Sequence, residues 1–496
     1  MDTKSNKTIQ VFWVAMGSLS SLALTIVSAA ILSRYFNKSD YGTYKQIAYV
    51  YTTLLVIFSA GLPRVFAYFL PRYSIEEGKS IVDKVNRVLF LAGLIFSIVL
   101  FTFSGIIASL LKNNELAYAL KVFSPIPMFL LPTLGIEGIF STYNKTIYIA
   151  VYETLSRILM LLFIVAPVVI FNGTYISAIY GWLIVSFLTF IMAYFFKGIP
   201  FKGIKAKVTT LKYNEIFSYS IPLVVASIWG VAIRSADQFY ISRFFGNQVF
   251  AEYSNGFTEI PFVSMITAST SIVLMPFFSK MIHNKADIKD VVVVWRNVLL
   301  KSAYIIYPIV IFFIFNADYV MTILYSKVYE SSKIYFQICM FLNFFNIIIF
   351  SPLILAMGET KFYLRLHIFI ALLAWGLGYF VVILFKSPEA IAIFSVLLSI
   401  LKVLMALKFL SSKLNINFLS LFPFKKTFQI LIHTCLCMFL VLWLINIYGI
   451  EGNIIFRLVV NVILYGFLVL TTAMFFKLEY LRFLTPLIEK LKSYVK

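Results

Sequence analysis

The amino-acid sequence predicts an all-α integral membrane protein with about fourteen transmembrane helices. Of its 496 residues, 61% are hydrophobic and only 13% are charged. Charged residues make up about 25% of an average soluble protein, and no soluble core could bury so much apolar surface. A net charge of +21 would suggest nucleic acid in a soluble protein, but here most basic residues lie between long apolar segments. We therefore expect lipid to surround most of the chain, and we expect no nucleic-acid partner.

Fourteen apolar segments are long enough to cross a bilayer. A spanning helix needs about 20 apolar residues, because each residue adds about 1.5 Å along the helix axis. The predicted spans are 9–32, 45–69, 88–111, 119–140, 149–171, 175–196, 215–240, 250–275, 295–315, 333–356, 366–385, 390–411, 428–447 and 453–476. The first segment is longer than the apolar core of a signal peptide and is not followed by a cleavage-site pattern, so we predict that it is a span.

The basic residues of the connecting segments predict the orientation. With the N-terminus inside, 27 Lys and Arg residues fall in cytoplasmic segments and 9 fall in external segments. Basic residues concentrate on the cytoplasmic side of membrane proteins. Both termini are therefore predicted to be cytoplasmic, which requires an even number of spans and agrees with fourteen. We expect a multi-pass protein of a bacterial plasma (inner) membrane.

Short matches between the two halves of the chain indicate an internal duplication. Leu32-Ser33-Arg34-Tyr35-Phe36 matches Ile241-Ser242-Arg243-Phe244-Phe245 at an offset of 209 residues, and Leu70-Pro71 matches Met275-Pro276 at an offset of 205. A repeat of six spans keeps its orientation and favours transport by alternating access between two similar lobes. We predict an N-terminal lobe at 1–211 with spans 1–6 and a C-terminal lobe at 212–411 with spans 7–12. The segment 412–496 would add two helices and a cytoplasmic tail.

Several of these motifs resemble a known family of transporters. Leu32-Ser33-Arg34-Tyr35-Phe36, Asp40-Tyr41-Gly42 and Gly61-Leu62-Pro63-Arg64 are similar to the start of Wzx-type polysaccharide and O-antigen flippases. Tyr219-Ser220-Ile221-Pro222-Leu223, Asp237 and Glu252-Tyr253 fit the same pattern in the second half. This family shares its superfamily with the MATE drug exporters and the lipid II flippases.

The resemblance implies a fold, a function and partners. The fold would be MATE-like, with two six-helix lobes and two C-terminal helices. The function would be flipping an undecaprenyl-diphosphate-linked oligosaccharide from the cytoplasmic to the outer leaflet, for a surface glycan such as lipopolysaccharide or exopolysaccharide. Its partners would be this lipid-linked oligosaccharide, membrane lipids, and the polysaccharide polymerase and chain-length machinery.

Ionised side chains inside the predicted spans are candidates for the substrate site, because charges are costly in lipid. The basic ones are Arg64, Arg157, Arg234, Lys301, Lys402 and Arg457, and the acidic ones are Glu137, Glu153, Asp237 and Glu259. Of these we predict that five bind substrate, namely Arg64, Arg234, Asp237, Glu259 and Lys402.

Two of these candidates are basic residues suited to a diphosphate. Arg64 lies in the cytoplasmic third of the second span, just after Pro63, where its guanidinium can hold a diphosphate through two parallel hydrogen bonds. Alternatively, its head group extends to the inner interface. Arg234 and Asp237 are three residues apart and can meet on one helical face. They would form either a structural ion pair or a pair that opens when the substrate anion or a coupling ion arrives.

The remaining charges are interpreted from their depth in the spans. Glu259 lies two residues before Pro261, where a kink is expected. It can bind a proton, a sodium ion or a sugar, or it can be neutral or partnered by Arg234. Lys402 lies near the middle of its span, where an ammonium needs a partner or a wet cavity. Glu153 and Arg157 are four residues apart and are expected to pair with each other.

Other functions stay open at this stage. A MATE-type exporter of cationic drugs would need more acidic than basic groups in its spans, whereas here six are basic and four acidic. A membrane-embedded glycan polymerase or ligase is disfavoured by the short external loops and the repeat. A lipid II flippase would use the same lipid carrier and is disfavoured only by the early motifs. No nucleotide-binding motif, catalytic triad or metal-ligand spacing occurs, so we expect no cofactor, and the coupling ion, H+ or Na+, is not identified.

Overall fold

The computed structural model of the protein describes residues 3–449, 451–478 and 480. Within these residues the chain forms helices joined by short turns, and it contains no β-strand. The chain divides into two compact units, Met1–Ala251 and Glu252–Lys496. The predicted cytoplasmic tail beyond residue 480 lies outside the described residues. The all-helical membrane fold predicted from composition is confirmed.

The helices follow one another with few long connections. The first unit contains α1 (Thr3–Tyr35), α2 (Lys38–Phe58), α3 (Pro63–Phe69), α4 (Ile75–Leu110), α5 (Glu115–Phe123), α6 (Ile126–Leu130), α7 (Ile136–Thr142), α8 (Ile147–Met160), α9 (Ala166–Phe171), α10 (Tyr175–Gly198) and most of α11 (Tyr213–Gly256). The second unit contains α12 (Pro261–His283), α13 (Ile288–Phe315), α14 (Ala317–Tyr325), α15 (Ser332–Asn346), α16 (Ser351–Ala356), α17 (Thr360–Phe385), α18 (Pro388–Leu414), α19 (Phe418–Leu421), α20 (Phe424–Ile447) and α21 (Ile454–Thr472).

Thirteen helical segments of the described chain are long and apolar enough to cross a membrane. They correspond in order to the predicted spans, except for the tenth, 333–356. There the structure has two shorter helices, α15 with 15 residues and α16 with 6. The residues 347–350 between them are not helical. An apolar run of sufficient length thus contains a break that its hydropathy does not reveal.

A break within α11 lies at the position that the sequence repeat would predict. Gly246 has φ 84° and ψ 174°, which is not helical, and glycine adopts positive φ without steric cost. Asn37 lies 209 residues earlier, between α1 and α2, and its side chain accepts a hydrogen bond from the Asp40 backbone N at 2.8 Å. The two matched segments therefore interrupt their helices at equivalent positions.

The fourth span is a series of short helices held by a buried lysine. A 3-10 turn covers Leu131–Thr133, and Gly135 has φ 83° before α7 begins. Lys197 on α10 is 3% exposed, although it follows the predicted sixth span. Its Nζ donates to the carbonyl oxygens of Pro132 and Leu134, each at 2.7 Å, and to Asn86 Oδ1 at 2.8 Å. Lys197 therefore satisfies backbone carbonyls at the break, as a buried segment requires.

Candidate functional site

The second predicted span is broken near its middle. α2 ends at Phe58 and α3 begins at Pro63. Between them Ala60 has φ 49° and Gly61 has φ 64°. A Cβ atom added at Gly61 would lie 3.0 Å from the Ser220 backbone oxygen, so the break lets α11 approach closely. Non-helical backbone at membrane depth is tolerated where it is buried in protein or lines a cavity.

The break gives α3 a buried side and an exposed side. Val65, Phe66 and Phe69 belong to a buried apolar cluster that includes Val85 of α4 and Ile216 of α11. Arg64, the second residue of α3, is exposed. Within the part of the chain that the structure describes, its guanidinium has no ion-pair or hydrogen-bond partner. The side chain is therefore free to bind an anion.

Arg64 is the first of three residues spaced by four along this segment. Tyr68 and Arg72 follow it, and residues four apart on a helix lie on one face. The Arg72 guanidinium lies 3.6 Å from the Tyr68 ring centroid. On α11, Tyr219 stacks on Tyr68 with 3.9 Å between centroids and 17° between ring planes. We call Arg64, Tyr68, Arg72 and Tyr219 the α3 strip.

The α3 strip combines two kinds of recognition. Guanidinium groups bind diphosphates through paired, charge-assisted hydrogen bonds. Aromatic rings offer flat apolar faces and, in tyrosine, a polar hydroxyl. From the sequence, Arg72 was counted among the basic residues of a connecting segment, and Tyr68 was not a candidate. The four-residue spacing from Arg64 was the signal that could have identified both.

Arg234 and Asp237 occupy different environments on α11. Arg234 is exposed, whereas Asp237 is only 7% exposed. Asp237 Oδ1 accepts a hydrogen bond from the Gln238 backbone N at 2.6 Å. Arg234 forms no ion pair among the described residues, so the structure does not bring the predicted pair together. Arg234 is also separated from the α3 strip, because it lies roughly 20 Å further along α11 than Ser220 by helical rise.

The other two candidates lie in the second unit. Glu259 is exposed in the non-helical segment 257–260, immediately before α12 begins at Pro261. The predicted eighth span is thus discontinuous at Glu259, as the following proline suggested. Lys402 on α18 is half-buried and interacts electrostatically with His367 of α17. Their roles in binding stay predictions.

Glu153 and Arg157 interact electrostatically, as their spacing predicted, but they do not form a close ion pair. Arg157 Nε donates to Ser21 Oγ of α1 at 2.8 Å, and no ion pair joins Arg157 to Glu153 in the described chain. The Glu153 carboxyl group instead lies within hydrogen-bonding reach of Glu137 on α7. The spacing of four residues permits an ion pair on an isolated helix, but here neighbouring helices supply other partners.

Comparison with protein families identifies one model that covers most of the chain. The model described as a polysaccharide biosynthesis protein matches residues 2–334. No curated protein matches the chain significantly.

Solved structures show the same fold in transporters. The structure of the lipid II flippase MurJ, in an inward closed conformation, has a TM-score of 0.66 at 18% identity, and the match covers 94% of this chain and 98% of that one. An inward-facing multidrug resistance MATE family transporter of the MOP superfamily has a TM-score of 0.62 at 12% identity, covering 80% and 94%. A MOP superfamily transporter from Pyrococcus furiosus, whose description notes a binding pocket of reverse polarity, has a TM-score of 0.56 at 12% identity, covering 84% and 98%.

Proposed function

Because the chain belongs to the polysaccharide biosynthesis protein family and is a multi-pass membrane transporter of the flippase kind, we propose that its substrate is an undecaprenyl-diphosphate-linked oligosaccharide. The protein would carry this lipid from the cytoplasmic to the outer leaflet of a bacterial plasma membrane by alternating access. Its role would be transport and not catalysis. Surface polysaccharide assembly would then consume the flipped lipid.

The observation that carries the proposal is the exposed guanidinium of Arg64 beside a break in the second span. An ionised group in a span marks a functional site by default, and Arg64 has no partner among the described residues. Arg72 and the stacked pair Tyr68 and Tyr219 extend the same face. A diphosphate carries the charge that such groups bind, and a saccharide offers both hydroxyls and flat apolar faces.

The negative charge of the proposed substrate allows the membrane potential to drive its transport. The sequence contains no nucleotide-binding motif. A membrane potential acts on a transported anion with about 2.3 kcal/mol per charge per 100 mV. An ion gradient or consumption of the flipped product would serve equally as the energy source.

The test is reconstitution into liposomes with a fluorescent undecaprenyl-diphosphate oligosaccharide, followed by measurement of its exchange between leaflets. We expect the wild type to exchange the lipid and Arg64→Ala to lose at least about 10-fold in rate, which corresponds to 1.4 kcal/mol. Arg365→Ala, which removes an exposed arginine of α17, should retain the wild-type rate. Wild-type protein that moves no lipid under any ion gradient but exports a small cationic dye would overturn the proposal in favour of a drug exporter.

A further inference from the structure

A polar cavity of about 470 Å³ lies inside the first unit. Its walls come from α1, α8, α10 and the broken fourth span formed by α6 and α7. The α3 strip contributes no residue to it. Its volume falls in the range of about 300–1,000 Å³ that is typical of small-molecule sites.

One wall of the cavity is a line of hydroxyl groups on α1. Ser18, Ser21 and Thr25 line it at spacings of three and four residues, which places them on one face of the helix. Thr133, Ser156 and Thr189 line the cavity from three other segments. Polar side chains within a membrane span face a protein interior or a water-filled cavity. The cavity is therefore a hydroxyl-lined chamber.

Two carboxyl groups of the lining lie next to each other. Glu137 and Glu153 both line the cavity and are within hydrogen-bonding reach. Carboxyl oxygens accept hydrogen bonds from hydroxyl groups. The pair therefore presents several acceptor oxygens to the cavity.

The helix packing holds this pair in place. A Cβ atom added at Gly17 of α1 would lie 2.9 Å from Glu153 Oε2 and 2.9 Å from the Ala150 Cα atom. The absence of a side chain at Gly17 thus lets α8 approach α1 with Glu153 between them. Arg157, one turn further along α8, is held by Ser21 and also lines the cavity.

Ser156 and Tyr152 form a polar part of the cavity wall on α8. Ser156 is 8% exposed, and its Oγ makes no hydrogen bond within 3.5 Å among the described residues. The Tyr152 hydroxyl is its polar neighbour and interacts with it. Replacing Ser156 would therefore change the polar wall that a ligand meets.

We infer that this cavity binds one sugar ring of the transported glycan. A sugar ring carries several hydroxyls, each of which both donates and accepts hydrogen bonds. The lining matches this with serine and threonine hydroxyls, two carboxyl groups that accept hydrogen bonds, and the donating guanidinium of Arg157. The inference rests on the proposed function and adds the place where the glycan, rather than the diphosphate, is recognised.

The test measures the affinity of full-length purified protein for two probes. One is the lipid-linked oligosaccharide isolated from the cells that make this protein, and the other is undecaprenyl diphosphate without sugar. We expect the wild type to bind the glycan-bearing lipid more tightly. Glu153→Leu and Ser156→Ala should reduce that preference, by about 10-fold or more for Glu153→Leu. Their affinity for the sugar-free lipid should stay at the wild-type value, which also shows that the variants are folded.

Two controls separate a sugar site from a proton site. Glu153→Gln keeps a polar side chain of the same size that forms hydrogen bonds but cannot bind or release a proton, so it should retain most of the glycan preference. Glu76→Leu removes an exposed carboxylate in the first turn of α4 and should change neither affinity.

Each remaining outcome overturns the inference in a different way. If the wild type prefers the glycan-bearing lipid and all three cavity variants keep that preference, the sugar binds elsewhere and the proposed function stands. If the variants change only the pH dependence of transport, with Glu153→Gln acting as strongly as Glu153→Leu, the cavity is a proton site. If the wild type binds neither probe, the proposed function fails together with the inference.

Discussion

Gln46 and Ser242 are joined by a buried hydrogen bond in which Gln46 Nε2 donates to Ser242 Oγ at 2.7 Å. They are 196 residues apart in sequence, and each is 0% exposed. Asn113 Nδ2 donates to Gln46 Oε1 at 2.6 Å and to Thr43 Oγ1 at 2.9 Å, which extends the network to the turn after α4. Ser242 belongs to the motif that is repeated from Ser33. The repeated motif therefore also attaches α11 to α2.

Replacing Gln46 should destabilise the first unit. Gln46→Met keeps the approximate size of the side chain but leaves Ser242 without its donor and removes one of the two Asn113 hydrogen bonds, and a buried group left unsatisfied costs about 1–3 kcal/mol. We expect a lower midpoint of thermal unfolding for the detergent-purified protein. Thr52→Ala, which removes an exposed hydroxyl from the same helix, should leave the midpoint unchanged. Equal midpoints for the two variants would show that the network contributes no stability.

Gly42 should not tolerate a side chain. A Cβ atom there would overlap the backbone carbonyl of Asn247, so Gly42→Ala should force α2 and α11 apart at a cost of about 1–3 kcal/mol. Gly105 of α4 has no atom within 4 Å of an added Cβ. Gly105→Ala should therefore be neutral or stabilise by up to about 1 kcal/mol, because alanine favours helix. The measurement is the midpoint of thermal unfolding of each variant. If Gly42→Ala unfolded at the wild-type midpoint, the close approach of α2 and α11 at Gly42 would be contradicted.

Trp295 should stabilise the break between α15 and α16. It is 0% exposed, and its Nε1 donates to the Ile349 carbonyl at 3.0 Å. Trp295→Phe removes that donor from a carbonyl in a non-helical segment and should cost about 1–3 kcal/mol. Trp443→Phe is the matched control, because Trp443 is 58% exposed. Unfolding midpoints that fall equally in both variants would mean that the indole hydrogen bond is unimportant.

Lys197 should be essential to the broken fourth span. Lys197→Met keeps the length of the chain but removes the donor to Pro132, Leu134 and Asn86, leaving buried acceptors unsatisfied at about 1–3 kcal/mol each. We expect a lower unfolding midpoint and faster proteolysis near residues 130–136. Lys202→Met, at an exposed position after α10, provides the comparison. If Lys197→Met were as stable as Lys202→Met, these carbonyls would have other partners.

Local sequence was sufficient for part of the candidate site. Arg64 and Glu259 were identified because an ionised residue beside a proline in an apolar run is rare, and both lie at helix breaks. The other partners of Glu153 and Arg157 could not be predicted, because the spacing of residues along one helix does not reveal that Ser21 and Glu137 lie opposite them. Arg72 was missed because its position at the end of a span resembles a topological charge.

Composition and hydropathy were enough to predict the class of the protein and the approximate limits of nearly all its spans. This is possible because crossing lipid demands a continuous apolar run of known length, which is a local property. The positions of the helix breaks, as at 59–62, 257–260 and 347–350, and the burial of individual charges become visible only in the folded chain. Those features depend on contacts between residues far apart in the chain, such as Lys197 with Pro132 and Gln46 with Ser242, and hydropathy carries no information about them.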